Sequence, residues 1–192
     1  MKKKLVIFAS GSGSNAVNVC QNFKDNEEIE VVALFCNRLN AGVIPKMVEF
    51  NIPVIIFNRE DFFNETSFLP LLKKYQTDFI ALLGFLWKIP AYLVQAYPNK
   101  IVNLHPALLP KYGGKGMYGH YVHEAVKSEG ETQTGISIHW VNEHYDDGNI
   151  IAQFSCEVLP SDSVDIIAEK IHELEQKFVP MVLQNVINGQ LK

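Results

Sequence analysis

The chain has 192 residues, 47% hydrophobic and 20% charged, with a formal net charge of −4. A chain of this length can bury roughly 70% of the surface its unfolded form exposes, which excludes disorder and makes a single domain over residues 1–192 the simplest reading. The acidic balance without a basic stripe argues against nucleic-acid binding, and no stretch approaches the ~20 apolar residues of a transmembrane helix.

The opening MKKKLVIFAS imitates a secretory signal, but its apolar run lasts only from Leu5 to Ala9 before SGSGSN ends it. It therefore reads as a cytosolic start and a first strand. LVIFAS is followed by a predicted helix near 16–24, EVVALFC by one near 41–50, and PVIIF by one near 66–75; DFIALLG and IVNLH continue the series. Apolar runs that alternate with helical stretches mean crossover units and a parallel sheet covered on both faces. After VHEAVKSEGE the rhythm changes, because TGISIHWV and NIIAQFSCEV are separated only by NEHYDDG, which predicts an antiparallel pair at one edge. A long amphipathic helix closes the pattern, with Ser161 and Asp162 as its cap and first-turn acid and a kink near Pro180. Cys20, Cys36 and Cys156 are odd in number and lack C-x-x-C spacing, so they read as packing residues of a reduced compartment.

In open sheets of this kind, ligands sit beyond the carboxyl ends of the strands. GSGSNA, from Gly11 to Ala16, lies at such an end and starts a helix, where free N–H groups favour a phosphate. Gly13, Ser14 and Asn15 are the contacts this predicts, through backbone amides and the Ser14 hydroxyl. The same residues satisfy the dinucleotide pattern G-x-G-x-x-A, but the second strand ends in Asn37 and Arg38 rather than an acid; NAD loses its anchor, and NADP remains as a reading. The bland alternative is a tight turn that packs strand against helix.

Asn103 and His105 end their strand two residues apart, so their side chains point the same way. An amide donor beside an imidazolium suits an oxyanion formed at a carbonyl under attack; otherwise they cap a turn and bond a backbone carbonyl. HWVNEHYDDGNI adds a second imidazole and two aspartates at the hairpin turn. One aspartate beside His105 would raise its pKa and keep it protonated near neutrality. Spacing does not choose between Asp146 and Asp147, and no ligand spacing supports a metal on His105, His139, His144 and Asp147. Glu175 falls between Ile171 and Phe178 on the apolar stripe of the last helix, so its carboxylate aims inward and needs a partner, unless it sits at an exposed edge.

With these residues in place, the chain resembles the formyltransferase family that uses 10-formyltetrahydrofolate, and within it the members that formylate glycinamide ribonucleotide. Three motifs match in order: SGSGSN after the first strand, NLHPALLPKY in the middle, and H-x-V-x-x-x-x-D-x-G-x-I as His139, Val141, Asp146, Gly148 and Ile150. The resemblance spans nearly the whole chain. It implies an α/β fold, three-layer and Rossmann-like, with a mostly parallel sheet, an antiparallel edge and a long C-terminal helix. It implies a catalytic set of Asn103, His105 and Asp146, with His139 in support. Glycinamide ribonucleotide would be held by Gly13, Ser14 and Asn15 at its phosphate and by Glu175 near its ribose or glycyl end. Folate would lie along Arg59, Leu86, Trp87, Lys88, Ile89, Asn103, Asn142, Glu143, His144, Tyr145 and Asp146.

The same resemblance implies 10-formyltetrahydrofolate as cosubstrate and no metal, a cytoplasmic monomer or homodimer, and neither nucleic acid nor membrane as partner. Two features depart from the family pattern: the stretch from Gly113 to His123, and Trp87 with Lys88 in the folate segment. The glycines of that stretch predict a mobile flap, with Lys115 or Tyr118 as candidate contacts, although a solvated face is preferred for Lys115, His120 and His123. Methionyl-tRNA formyltransferase and formyltetrahydrofolate hydrolase share the central motif but add a further domain. An NADP-binding reductase and a non-catalytic nucleotide-binding module are the readings from other classes.

Overall fold

The computed structural model describes residues 1–191. β1 (Lys3–Ala9) shows why the sheet is central: Leu5, Ile7 and Ala9 enter one buried cluster, while Val6 and Phe8 enter another on the opposite face. The chain continues through α1 (Ser14–Phe23), β2 (Ile29–Cys36), α2 (Val43–Lys46) with a 3-10 turn at Met47–Phe50, β3 (Val54–Ile56), α3 (Arg59–Phe62) and α4 (Glu65–Lys74). It then forms β4 (Phe79–Leu82), α5 (Ala91–Ala96), β5 (Ile101–His105), α6 (His120–Ser128), β6 (Gln133–Trp140), β7 (Ile150–Glu157) and α7 (Val164–Ile187).

The seven strands are ordered β3-β2-β1-β4-β5-β6-β7. Pairing is parallel from β3 to β5 and antiparallel for β5–β6 and β6–β7. α1 and α7 cover one face, where Val19 and Phe23 share a cluster with Val179, Val182 and Leu183. α3, α4 and α5 cover the other, where Phe8, Phe35, Phe57, Phe62, Phe68 and Phe85 interleave with ring centroids 5.0–6.4 Å apart. The chain leaves β1 toward β2 and β3, then returns to place β4 on the other side of β1, so the order reverses between β1 and β4. A crevice opens at such a reversal.

Helix ends depart from the predicted ones for local reasons. Arg59 opens the short helix α3, capped by Asn58, whose side chain accepts from the Asp61 N–H at 2.8 Å. The cap of α7 is Ser163, which accepts from the Ile166 N–H at 3.2 Å, and its first-turn acid is Asp165. Ser161 and Asp162 lie one turn earlier, where Asp162 accepts from the Leu159 N–H at 2.9 Å and pairs with Lys170. α7 runs on through Pro180 to Ile187. Proline removes the bond that would reach the Gln176 carbonyl, and Asn18 of α1 replaces it, donating to that oxygen from Nδ2 at 2.8 Å.

Candidate active site

A cavity of about 620 Å³ occupies the crevice at the carboxyl ends of β1, β4 and β5. Ser10 ties the reversal point together, since its N–H donates to the Gly84 carbonyl at 3.1 Å and its Oγ accepts from the Leu86 N–H at 3.2 Å. One wall carries Asn15 and Glu175, a second carries Leu86, Trp87, Lys88 and Ile89, and a third carries Asn142, His144 and Tyr145. Asn103, His105, His139 and Asp146 also line it. The predicted positions Gly13, Ser14, Arg59 and Glu143 do not.

Each of those four has a local reason. Gly13, at φ +77, is where α1 meets α2, and a Cβ there would fall 2.2 Å from Val43 Cγ2, so the position serves the turn and lets the two segments touch. Ser14 begins α1 outside the cavity, whereas Gly11 reaches it. The Arg59 guanidinium lies over the rings of Phe63 and Trp87, 5.1 and 5.7 Å from their centroids. Glu143 accepts from Gln95 Nε2 at 3.4 Å on the surface.

Asn15 departs from its prediction in detail. Its side chain turns to α7, donating to Glu175 Oε2 at 2.8 Å and accepting from Gln176 Nε2 at 3.1 Å. Its backbone N–H and one side-chain amide hydrogen are left for a ligand at the start of α1, where no side chain caps the helix. Burial pushes the Glu175 carboxyl above its ordinary range, against the lowering effects of Asn15 and His172.

The polar cluster rests on strand register. Asn103 of β5 stands opposite His139 of β6, so both side chains leave the same face. A bulge between Ile138 and His139 shifts β7 by one residue there. Gly148 completes the turn, because a Cβ at that position would meet the Trp140 carbonyl oxygen at 1.7 Å. The turn delivers Asp146 with φ +51, a left-handed backbone that Asp tolerates better than most residues. Asp147 turns aside and accepts from Asn142 Nδ2 at 3.3 Å.

Hydrogen bonding then assigns the donors. His139 Nδ1 faces the Trp140 carbonyl at 2.8 Å, so that nitrogen carries a proton. His139 Nε2 is left to accept from Asn103 Nδ2 at 3.0 Å, and the other amide hydrogen goes to Asp146 Oδ1 at 3.2 Å. Both Asn103 donors are thus engaged before any ligand arrives. Asp146 Oδ2 accepts from the Gly114 N–H at 2.9 Å and faces His105 Nδ1 at 3.6 Å, while His105 Nε2 donates to the Tyr112 carbonyl at 2.7 Å.

Two opposing effects act on the His105 imidazole. Burial pushes the His105 imidazole below its ordinary value; Asp146 and the Tyr112 carbonyl raise it without overcoming burial, and His139 lowers it further. Burial thus works against the predicted imidazolium, while Asp146 and the Tyr112 carbonyl work for it. Burial also pushes the Asp146 carboxyl up, but the His139 and His105 rings, through the charge they carry when protonated, and the Gly114 N–H hold it below its ordinary range. Among the described residues, no group of three or more His, Cys, Asp or Glu side chains is placed to hold a metal.

The flap contributes too: Tyr118 lines the cavity as a candidate contact, Lys115 does so against the preferred solvated face, and Met117 was not foreseen. Arg38 also reaches the cavity. His120 is solvated and meets Glu124 at 3.2 Å, as predicted, but His123 is buried against the cavity and its Nδ1 has no hydrogen-bond partner. The available signal was helical: His123 and Val126 are three residues apart, on the side of α6 that packs away from solvent.

Known proteins share this arrangement of elements. Phosphoribosylglycinamide formyltransferase of Arabidopsis thaliana, a chloroplastic protein, is 39% identical over 197 residues, covering 100% of this chain and 68% of its own length. The Bacillus subtilis phosphoribosylglycinamide formyltransferase is 34% identical, covering 96% of this chain and 95% of its own. The crystal structure of glycinamide ribonucleotide transformylase 1 from Geobacillus kaustophilus superposes with a TM-score of 0.88 at 33% identity, over 97% of this chain and 100% of that one. The formyl transferase family model matches residues 3–183, and the chain belongs to the formyl transferase family.

Proposed function

We infer that this protein transfers the formyl group of 10-formyltetrahydrofolate to the amine of glycinamide ribonucleotide, giving formylglycinamide ribonucleotide and tetrahydrofolate in purine biosynthesis. The observation that carries this reading is His105 and Asn103 sharing one carboxylate, Asp146, inside a cavity large enough for small-molecule ligands. Relatives named for this activity cover this chain from end to end, which favours it over hydrolysis or NADP-dependent reduction. The reading takes residues 1–192 as one formyltransferase domain acting in the cytoplasm; no helix among the described residues is long and apolar enough to cross a membrane.

Moving a formyl carbon between two nitrogens requires a proton to leave the attacking amine and another to reach the departing nitrogen. His105 meets both needs at one atom. With Nε2–H engaged by the Tyr112 carbonyl, Nδ1 is the basic nitrogen; it accepts the amine proton as the new carbon–nitrogen bond forms and delivers it to the folate nitrogen as the old one breaks. The imidazolium exists only between those events, paired with the Asp146 carboxylate while the formyl oxygen carries negative charge. Asn103 serves that oxygen by exchanging its longer bond, the one to Asp146, while His139 keeps the other amide hydrogen in place.

The two walls suit the two substrates. Free backbone N–H groups at the start of α1, around Gly13, Ser14 and Asn15, favour the ribonucleotide phosphate, and Glu175 on the same wall suits its hydroxyls or amine. Apolar surface from Leu86, Trp87 and Ile89 suits the folate ring, with Lys88, Asn142, His144 and Tyr145 around it. Arg59, stacked behind Trp87, can meet only a part of folate that emerges past that ring.

Purified protein incubated with 10-formyltetrahydrofolate and glycinamide ribonucleotide should release tetrahydrofolate and formylated ribonucleotide in equal amounts. Release of formate independent of the ribonucleotide would indicate a hydrolase and sink the reading.

A further inference from the structure

The stretch after β5 grips the His105–Asp146 pair from both sides. The Tyr112 carbonyl accepts from His105 Nε2 at 2.7 Å, and the Gly114 N–H donates to Asp146 Oδ2 at 2.9 Å. Tyr112 presents that carbonyl from a left-handed backbone, φ +57, which a residue with a Cβ keeps only when its surroundings over-determine it. Its own side chain supplies the constraint. The phenol hydroxyl lies 2.8 Å from Glu129 Oε2 and 2.9 Å from Glu131 Oε1, both on the connection from α6 to β6. One phenolic hydrogen is thus shared between two carboxylates, and Lys111 relieves their repulsion by pairing with Glu131 at 2.6 Å. Burial and then the two carboxylates push the phenol above its ordinary range, so it remains a donor.

We propose that Tyr112 is a positioning residue: anchored through Glu129 and Glu131, its carbonyl confines the resting proton of His105 to Nε2 and reserves Nδ1 for the proton transferred in the reaction. Without the anchor, the backbone relaxes, the carbonyl leaves Nε2, and the imidazole distributes its proton over both nitrogens. The groups facing that ring are Asp146 from the β6–β7 turn, His139 from β6 and the Tyr112 carbonyl; only the carbonyl contacts Nε2. What the proton does rests on the formyl-transfer reading, but where it sits does not.

The test is Tyr112→Phe in the full chain, followed by nitrogen-15 NMR of the histidine rings. The parent should show His105 as the Nε2–H form, and the variant a mixture of both neutral forms. Formyl transfer by the variant should show kcat lower by about tenfold, with KM for either substrate changed by less than about twofold. The acidic limb of its kcat–pH profile should move to lower pH, because the lost carbonyl favours the protonated ring. If the variant folds poorly, Glu129→Gln with Glu131→Gln keeps the phenol, weakens its acceptors and should shift the ring in the same direction. An undisturbed Nε2–H form in these variants overturns the proposal whatever the activity. A redistributed proton with undiminished kcat leaves the anchor standing but overturns its part in catalysis, along with the role given to His105.

Discussion

On the β5–β6 side of the crevice, the polar atoms have found partners within the protein: Asn103 bonds His139 and Asp146, His139 bonds the Trp140 carbonyl, and His105 bonds the Tyr112 carbonyl. On the α1–α7 side, Glu175 is partly buried with one amide hydrogen bond, from Asn15, and a half-exposed His172 at 3.7 Å, and the first N–H groups of α1 are uncapped. The first wall is organised before substrate arrives, so its dipoles need no rearrangement during reaction. The second wall carries a desolvated carboxylate and free donors that a polar ligand can satisfy. Catalytic parts are pre-set, and binding parts are completed by what they bind.

The sharpest way to break this contrast is His105→Ala. Turnover should fall by about a thousandfold, while calorimetry should find ribonucleotide affinity nearly intact; a comparable loss of affinity would mean the two walls are not separable. Asp146→Asn should lower kcat by about a hundredfold and shift the His105 titration to lower pH by NMR, because Asp146 is what pushes that imidazole up. An unmoved His105 titration would remove the carboxylate from its assigned role.

Glu175→Gln tests the other wall. It should weaken glycinamide ribonucleotide about tenfold, as expected for a hydrogen bond to a charged group, and leave folate affinity unchanged. It should also stabilise the unliganded protein at neutral pH. The carboxyl is raised by burial in the folded state, so the unfolded chain ionises first, and stability declines as pH rises through the folded-state value. Glutamine removes that penalty, and the gain in melting temperature should vanish in acid; a loss at neutral pH would show that the carboxylate serves the fold. The smallest effect belongs to Ser10→Ala, which frees the Leu86 N–H and should raise KM for folate about threefold, with kcat unchanged.

Much of the architecture was legible from local pattern. Parallel strands with both faces covered read as apolar runs, and β1 shows this in Leu5 to Ala9. The pair β6–β7 was visible in its short connection, and Glu175 in the helical spacing of Ile171 and Phe178. Caps were less legible, since Ser161, Asp162 and Ser163 each suit a helix start, and the choice fell to Lys170, which draws Asp162 away. Arg59 and Glu143 are surface positions outside the cavity, although Glu143 is flanked in sequence by Asn142 and His144, which line it. His123 and Lys115 had the opposite fate, because glycine-rich segments take their path from what they pack on.

The sequence by itself determined the period of each element, the order of parallel and antiparallel units, and the residue types gathered at the strand ends, because each follows from interactions within a few positions of the chain. It could also pair Asn103 with His105, which one strand holds on one face. Only the tertiary structure decided that burial opposes the charge on His105, that both Asn103 hydrogens are committed, and that Asn15 turns to α7. Those outcomes depend on burial and on partners between 7 and 161 positions away, and the balance between desolvation and a nearby charge is set by distances that no local pattern encodes.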